Sequence, residues 1–173
     1  MRKLDANHHR RQPDVLPAHT LGLLVVLVLS VSGCATGPST LQDSDAKTRD
    51  PAAAAVLVEA GRSAWAQGNA DLAITQWQQA LALNPDDATT ANNLAVALKD
   101  EHHYRQAAET LRQAIQREPD VPNLHYNLGV ISELYLLDLP EALAQYRAYQ
   151  QLTGGSDSEV DGWIADLERR VNP

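Results

Sequence analysis

The sequence decides its fold in two matching stretches: residues 73–85 read AITQWQQALALNP and residues 107–119 read AAETLRQAIQREP. They lie 34 residues apart, and the same offset continues past both prolines into the segments that follow. Pairs of identical residues at this offset include Ala73 and Ala107, Gln79 and Gln113, Ala80 and Ala114, Pro85 and Pro119, Asp86 and Asp120, Asn93 and Asn127, Leu94 and Leu128, and Val96 and Val130. Because chance does not repeat one spacing this often, we expect a repeating unit of 34 residues.

A period of 34 residues made of two helices resembles the tetratricopeptide repeat family. That family places a small residue in the first helix of each unit (helix A), alanines around one large residue in the second (helix B), and then a proline. The residues that carry the resemblance are Gly61, Ala73, Trp77, Ala80 and Pro85, then Ala95, Ala107, Leu111, Ala114 and Pro119, then Gly129, Ala142 and Tyr146. The third unit departs from the pattern, with one extra residue in its turn, Tyr149 instead of alanine and Gly154 instead of proline. The resemblance implies an all-α fold, a right-handed α-α superhelix or short solenoid of three helix pairs.

The repeat divides residues 52–155 into three units, at about 54–87, 88–121 and 122–155. Apolar periodicity between turn residues predicts helices at 52–67, 71–83, 87–100, 104–117, 122–137 and 140–152. A seventh helix at 156–170 is predicted to begin with a capping box made by Ser156 and Glu159. Its apolar stripe predicts that it caps the open face of the third unit, through Val160, Trp163, Ile164 and Leu167.

The N-terminus carries the pattern of a secretory signal. Basic residues precede an unbroken apolar run at 21–29, which is shorter than the roughly 20 residues that span a bilayer. The sequence that ends this segment, VSGC at 31–34, resembles the bacterial lipobox, in which the cysteine thiol is acylated and becomes the first mature residue. The resemblance implies a cleaved signal peptide at 1–33, a diacylglycerol and an N-acyl chain on Cys34, and no other cofactor.

Residues 34–51 form the predicted lipidated, flexible tether, since small polar residues and turn formers leave little apolar area to bury. Ala35 follows the cysteine, and by the same resemblance a residue other than aspartate there implies the outer membrane, with the domain facing the periplasm. Cleavage removes four basic and two acidic residues, which takes the net charge from −8 to −10. That charge excludes nucleic acid as a partner and leaves the lipid as the only expected membrane contact.

The A helices of tetratricopeptide arrays line a concave surface that binds partners, so the resemblance implies a groove. Its predicted residues are Arg62, Trp65, Asn92, Asn93, Val96, Lys99, Tyr126, Asn127, Val130 and Glu133. Asn93 and Asn127 are equivalent by repeat, and their amides could either pair with the backbone of a bound peptide or bond to neighbouring helices. Trp65 and Tyr126 are either anchors for a partner or packing residues of the groove.

No catalytic motif accompanies the repeats. After Cys34 there are three histidines and no further cysteine, and neighbouring His102 and His103 point apart, so no metal site is expected. The predicted function is a non-enzymatic periplasmic scaffold that docks a peptide or helix of an envelope assembly machine, such as that of type IV pili and secretins. The alternatives are an adaptor that delivers substrates to a periplasmic protease or cell-wall hydrolase, and self-association through the first unit.

Overall fold

The computed structural model describes residues 49–171, and within that range the chain forms seven α-helices and no β-strand. The helices are α1 (Pro51–Ala66), α2 (Ala70–Leu83), α3 (Ala88–Asp100), α4 (Tyr104–Arg117), α5 (Pro122–Ile131), α6 (Leu139–Leu152) and α7 (Ser158–Val171). Consecutive helices pack against each other, and α3 also contacts α5 directly. The predicted all-α fold is therefore confirmed, and α1, α3 and α5 are the A helices of three successive helix pairs.

Helices α1, α2, α3 and α6 each begin after an aspartate or asparagine that caps the free N–H groups of the first turn. The side chains of Asp50, Asn69, Asp87 and Asp138 accept hydrogen bonds of 2.9, 3.2, 3.0 and 3.1 Å from the backbone N–H three residues further on. Because such residues fix where a helix starts, α1, α2, α3 and α6 begin within one residue of their predicted positions.

The predicted capping box of the seventh helix is wrong. Ser156 instead donates its hydroxyl to the carbonyl of Thr153 at 3.2 Å, and the side chain of Asp157 accepts from the N–H of Val160 at 3.2 Å. Helix α7 consequently begins at Ser158 rather than at residue 156. The carboxylate of Asp157 also interacts favourably with the N-terminal end of the helix dipole.

Small residues let the two helices of each pair approach closely, as the repeat pattern predicts. The buried alanines of these crossings are Ala73, Ala80, Ala95, Ala107 and Ala114. Each helix B places one large buried residue beside its crossing, and these residues are Trp77, Leu111 and Tyr146. Helix α7 then covers α6 with its predicted stripe, in which Val160 and Leu167 are fully buried and Trp163 and Ile164 partly buried.

In the third unit, the extra residue is accommodated at the end of helix A (α5). After Ile131 the helix widens into a π-helical turn over Ser132–Leu136, where the sequence predicted a regular helix through residue 137. Leu137 is left-handed, with a φ of 57°, and the N–H of Asp138 donates to the carbonyl of Ser132 at 2.8 Å. A π turn holds more residues than an α turn, so the insertion changes where the side chains of residues 132–136 point.

A bidentate ion pair joins the second unit to the third. Nε and Nη2 of Arg112 on α4 donate to the two carboxylate oxygens of Glu141 on α6, at 2.7 and 2.6 Å. The hydroxyl of Ser132 in the π turn donates to the same carboxylate at 2.8 Å. The hydrogen bonds from Arg112 lower the pKa of Glu141, with a smaller contribution from Ser132, although burial opposes the shift. The pair thus fixes the π turn between two B helices.

The described chain begins beside the end of α2. The N–H of Asp50 donates to the carbonyl of Leu83 at 3.0 Å, and the guanidinium of Arg49 pairs with Asp86 at 2.7 Å. The predicted signal peptide at 1–33, the lipidation site Cys34 and the tether as far as residue 48 lie outside the described residues. Within 49–171, no helix combines the length and apolar character needed to cross a bilayer.

Candidate functional site

The first part of the predicted groove is a cavity of about 330 Å³ between the first and second helix pairs. It is lined by Arg62, Trp65, Trp77, Asn93 and Val96. The rings of Trp65 and Trp77 are tilted by 44° with centroids 6.2 Å apart, and they form an aromatic wall. Four predicted groove residues from two different A helices therefore meet in one cavity.

The polar groups of the first cavity differ in whether they already have a hydrogen-bond or ion-pair partner. Nε1 of Trp77 donates to the carbonyl of Val58 at 3.3 Å, so the buried indole is satisfied by α1. Arg62 pairs with Glu59 at 3.0 Å on the exposed side of the same helix. The side-chain amide of Asn93 makes no hydrogen bond within residues 49–171, although the residue is partly buried. Asn93 is thus the polar group that a ligand in the first cavity would meet unpaired.

A second cavity of about 330 Å³ lies between α5, α6 and α7. It is lined by Tyr126, Val130, Glu133, Leu134, Tyr146 and Trp163. The ring of Tyr126 lies 6.4 Å from that of Tyr146 and 6.1 Å from that of Trp163. Three aromatic rings from three helices thus form its wall, beside the predicted groove residues Val130 and Glu133.

The carboxylate of Glu133 is held in place at the edge of the second cavity. One oxygen accepts from the hydroxyl of Tyr146 at 3.2 Å, and the other pairs with the guanidinium of Arg170 on α7, also at 3.2 Å. Burial raises the pKa of Tyr146 well above its ordinary value, and the negative charge of Glu133 raises it further. The phenol therefore stays protonated at neutral pH and remains a hydrogen-bond donor to Glu133.

Two predicted groove residues bond to each other between the cavities. Nδ2 of Asn127 on α5 donates to Oδ1 of Asn92 on α3 at 2.7 Å. For Asn127 the structure thus favours the alternative of a bond to a neighbouring helix. Lys99 lines neither cavity, and its ammonium pairs with the adjacent Asp100 at 3.1 Å.

Several lining residues were not predicted as groove residues. Trp77 and Tyr146 were assigned to helix packing and Trp163 to the cap, because their spacing marks buried positions. Each ring is large enough to pack on one side and line a cavity on the other. Only the inserted residue of the third unit could have pointed to Leu134. The π turn that accommodates the insertion leaves the side chain of Leu134 61% exposed at the second cavity.

The site is suited to binding apolar side chains. Its walls are aromatic or aliphatic with a few polar groups, which is the usual composition of a recognition pocket. Within residues 49–171, no cluster of three or more histidine, cysteine, aspartate or glutamate residues could hold a metal ion. The fold and the two cavities define a helical-repeat domain whose groove has mainly apolar walls.

Two sequence-family models identify the repeats. The model described as TPR repeat matches residues 61–101, and the model described as tetratricopeptide repeat matches residues 92–157. With the helix pairs described above, these matches show that residues 61–157 are built from tetratricopeptide repeats. No curated protein matches the sequence.

Solved tetratricopeptide domains share this fold at low identity. The first TPR of Spaghetti (RPAP3), solved with the HSP90 peptide SRMEEVD, is 20% identical with a TM-score of 0.64, over 73% of this chain and 98% of that one. The Arabidopsis OM64 TPR domain is 22% identical with a TM-score of 0.61, over 69% and 97%. The Sgt2 TPR domain from Aspergillus fumigatus is 20% identical with a TM-score of 0.61, over 78% and 85%. Such identities establish the fold alone.

Proposed function

We propose that this tetratricopeptide domain is a non-enzymatic scaffold that docks a peptide or helix of a partner protein in its groove. The observation that carries the proposal is the pair of aromatic-walled cavities, one built on α1 and α3 and the other on α5. Each has a volume of about 330 Å³. Because the amide of Asn93 in the first cavity has no hydrogen-bond partner among residues 49–171, it can bond to the backbone of a bound segment while Trp65 and Tyr126 contact its apolar side chains. The Spaghetti domain with its HSP90 peptide supports a peptide as the class of ligand.

We propose further that the domain is a lipoprotein of the outer membrane and faces the periplasm. The support is in the sequence: the apolar run at 21–29, the lipobox-like VSGC at 31–34 and the short polar segment that follows. Each buried CH₂ of an acyl chain contributes about 0.8 kcal/mol, so two or three chains on Cys34 hold a protein to the membrane almost permanently. Such an anchor keeps the groove within reach of envelope machines, for example those that assemble type IV pili and secretins.

The anchor is tested by Cys34→Ala in the full-length chain. We expect the wild type to sediment with membranes and to incorporate labelled palmitate, and the variant to lose both properties. A variant that still sediments with membranes would overturn the lipid anchor and leave the groove proposal untouched.

The groove is tested by co-purification from detergent-solubilised membranes. Asn93→Ala and Tyr126→Ala should each lose the same partner that the wild type retains, while Gln116→Ala on the exposed side of α4 should keep it. Circular dichroism shows whether each variant is folded. Recovery of the same partner with all variants would contradict groove docking, whereas a protease or hydrolase as the groove-dependent partner would favour the adaptor over the assembly scaffold.

A further inference from the structure

A separate cavity of about 480 Å³ lies at the edge of the array that carries the turns from helix A to helix B. Its lining residues include His102, Tyr104, Arg105, Tyr135 and Leu136. None of its lining residues belongs to either groove cavity. We call it the edge cavity, and it is a second possible recognition surface on the domain.

The π turn creates the apolar wall of the edge cavity. The turn directs Tyr135 onto Tyr104 of the preceding unit, so that the two rings stack at 20° with centroids 4.3 Å apart. The hydroxyl of Tyr104 is hydrogen-bonded to Nδ1 of His102 at 2.8 Å, which fixes this ring. Tyr135 remains 41% exposed, and the next exposed residue, Leu137, is 73% exposed. The insertion therefore places apolar surface in contact with solvent at this edge.

Arg105 gives the edge cavity a positive charge that the domain does not neutralise. Within residues 49–171, every other lysine and arginine has a carboxylate within 4.0 Å, and Arg105 alone has none. The whole chain carries a net charge of −8, so an unpaired guanidinium on this surface stands out against an acidic background. Complementary charge at a recognition surface selects the partner and speeds its association.

We infer that the edge cavity binds a short protein segment that has one carboxylate beside an apolar or aromatic side chain. The carboxylate pairs with the guanidinium of Arg105, and the apolar side chain packs on the stacked rings of Tyr104 and Tyr135. The chain's net charge of −8 disfavours a segment with many carboxylates, so a single carboxylate opposite Arg105 is the favoured match. The surface is distinct from the groove and would let the scaffold hold two segments at once.

The inference is tested by selecting peptides from a phage-displayed library of random dodecapeptides on the full-length protein in detergent. Selected peptides are synthesised with a fluorophore, and their affinities are measured by anisotropy. We expect a class enriched in aspartate or glutamate next to leucine, phenylalanine or tyrosine. Its affinity should fall about ten-fold or more with Arg105→Glu and with Tyr135→Ala. It should also weaken as the salt concentration rises.

Matched variants distinguish binding in the edge cavity from binding in the groove and from a general effect of net charge. Arg169→Glu changes the net charge as much as Arg105→Glu but lies on α7, and it should leave the affinity of this class within about two-fold. Asn93→Ala in the groove should also leave it unchanged. Selection of peptides that lack acidic residues would overturn the inference. It would also be overturned if the acidic peptides lost as much affinity with Arg169→Glu or Asn93→Ala as with Arg105→Glu. A groove that binds its own peptides while the edge cavity selects none would overturn this inference alone.

Discussion

Gly61 on α1 lies directly against the indole of Trp77 on α2. A Cβ at residue 61 would stand 2.5 Å from Nε1 of that ring, and a Cβ at Gly129 would likewise stand 2.7 Å from the ring of Tyr146. The second unit has Ala95 and Leu111 at the equivalent positions. A glycine therefore faces an aromatic ring in the first and third units, and an alanine faces a leucine in the second.

This relationship predicts that Gly61→Ala destabilises the domain. Overpacking against a buried indole costs about 1–3 kcal/mol, and the better helix propensity of alanine offsets about 0.5–1 kcal/mol of it. We expect a net loss of about 1–2 kcal/mol in the free energy of unfolding, measured by urea denaturation. In a Trp77→Leu background the same change should cost nothing, because that pair reproduces the alanine and leucine of the second unit. An equal cost in both backgrounds would contradict the packing described here.

The three turns from helix A to helix B differ in the residue that takes the left-handed conformation. These residues are Gly68, His102 and Leu137, with φ values of 75°, 64° and 57°. A left-handed conformation costs a non-glycine residue about 1–2 kcal/mol, and glycine loses about 0.5–1 kcal/mol more chain entropy on folding. Leu137→Gly should therefore stabilise the domain by up to about 1 kcal/mol, and Gly68→Ala should destabilise it by a similar amount. Thermal denaturation measures both, and a loss of stability in Leu137→Gly would contradict the prediction.

The ion pair of Arg112 and Glu141 makes part of the stability depend on pH. The pKa of Glu141 is lowered below its ordinary value of 4.5, chiefly by hydrogen bonds from Arg112. Because the pKa of Glu141 is lower in the folded state than in the unfolded state, the ion pair stabilises the domain fully at a pH above the unfolded-state pKa. This stabilisation is lost as the pH falls through the lower pKa of the folded state. Glu141→Gln should therefore reduce the free energy of unfolding at pH 7 by about 1.5–3 kcal/mol, near the lower limit because Arg112 is partly exposed.

The same variant tests how the stability contributed by the Arg112–Glu141 pair depends on pH. The difference in unfolding free energy between wild type and Glu141→Gln should shrink as the pH falls below 4.5, since the protonated glutamic acid then resembles glutamine. Urea denaturation from pH 7 to pH 3 measures this difference. A difference that does not change with pH would contradict the lowered pKa.

The bond between Asn127 and Asn92 predicts coupled effects on stability. Asn127→Ala and Asn92→Ala should each cost about 0.5–1.5 kcal/mol, and the double variant should cost less than the sum because the bond is lost only once. Asn93→Ala should change stability by less than about 0.5 kcal/mol, since its amide has no partner in residues 49–171. Additive losses for Asn92 and Asn127 in urea denaturation would show that the bond does not stabilise the domain.

The repeat explains why most helices could be predicted from sequence. Pro85 recurs one period later as Pro119 after the second helix B, while capping residues such as Asn69 and Asp87 determine the starts of α2 and α3 through local chemistry. The start of α7 lies outside the repeat, and two neighbouring residues, Ser156 and Asp157, competed there as caps. Local pattern could not decide between them, because the outcome depends on how the chain turns after Gly155.

The groove was harder to predict because its contacts cross between units. Repeat arithmetic pairs Asn93 with Asn127, since they occupy the same face of successive A helices. The hydrogen bond instead joins Asn127 to Asn92, because side-by-side helices touch through facing sides rather than through equivalent ones. The sequence likewise shows that the third unit has one extra residue, but not which part of helix A accommodates it. The π turn is held by the bond from Asp138 to Ser132 and by the bond from Ser132 to Glu141, whose carboxylate Arg112 of the second unit holds in place.

The most direct test of groove docking is site-specific photocrosslinking in living cells. A photoreactive phenylalanine analogue is placed at Asn93 in the first cavity, at Tyr126 in the second, or at Gln116 on the exposed side of α4. We expect positions 93 and 126 to capture the same partner polypeptide and position 116 to capture none of it. Capture of that partner from position 116 alone would contradict the account.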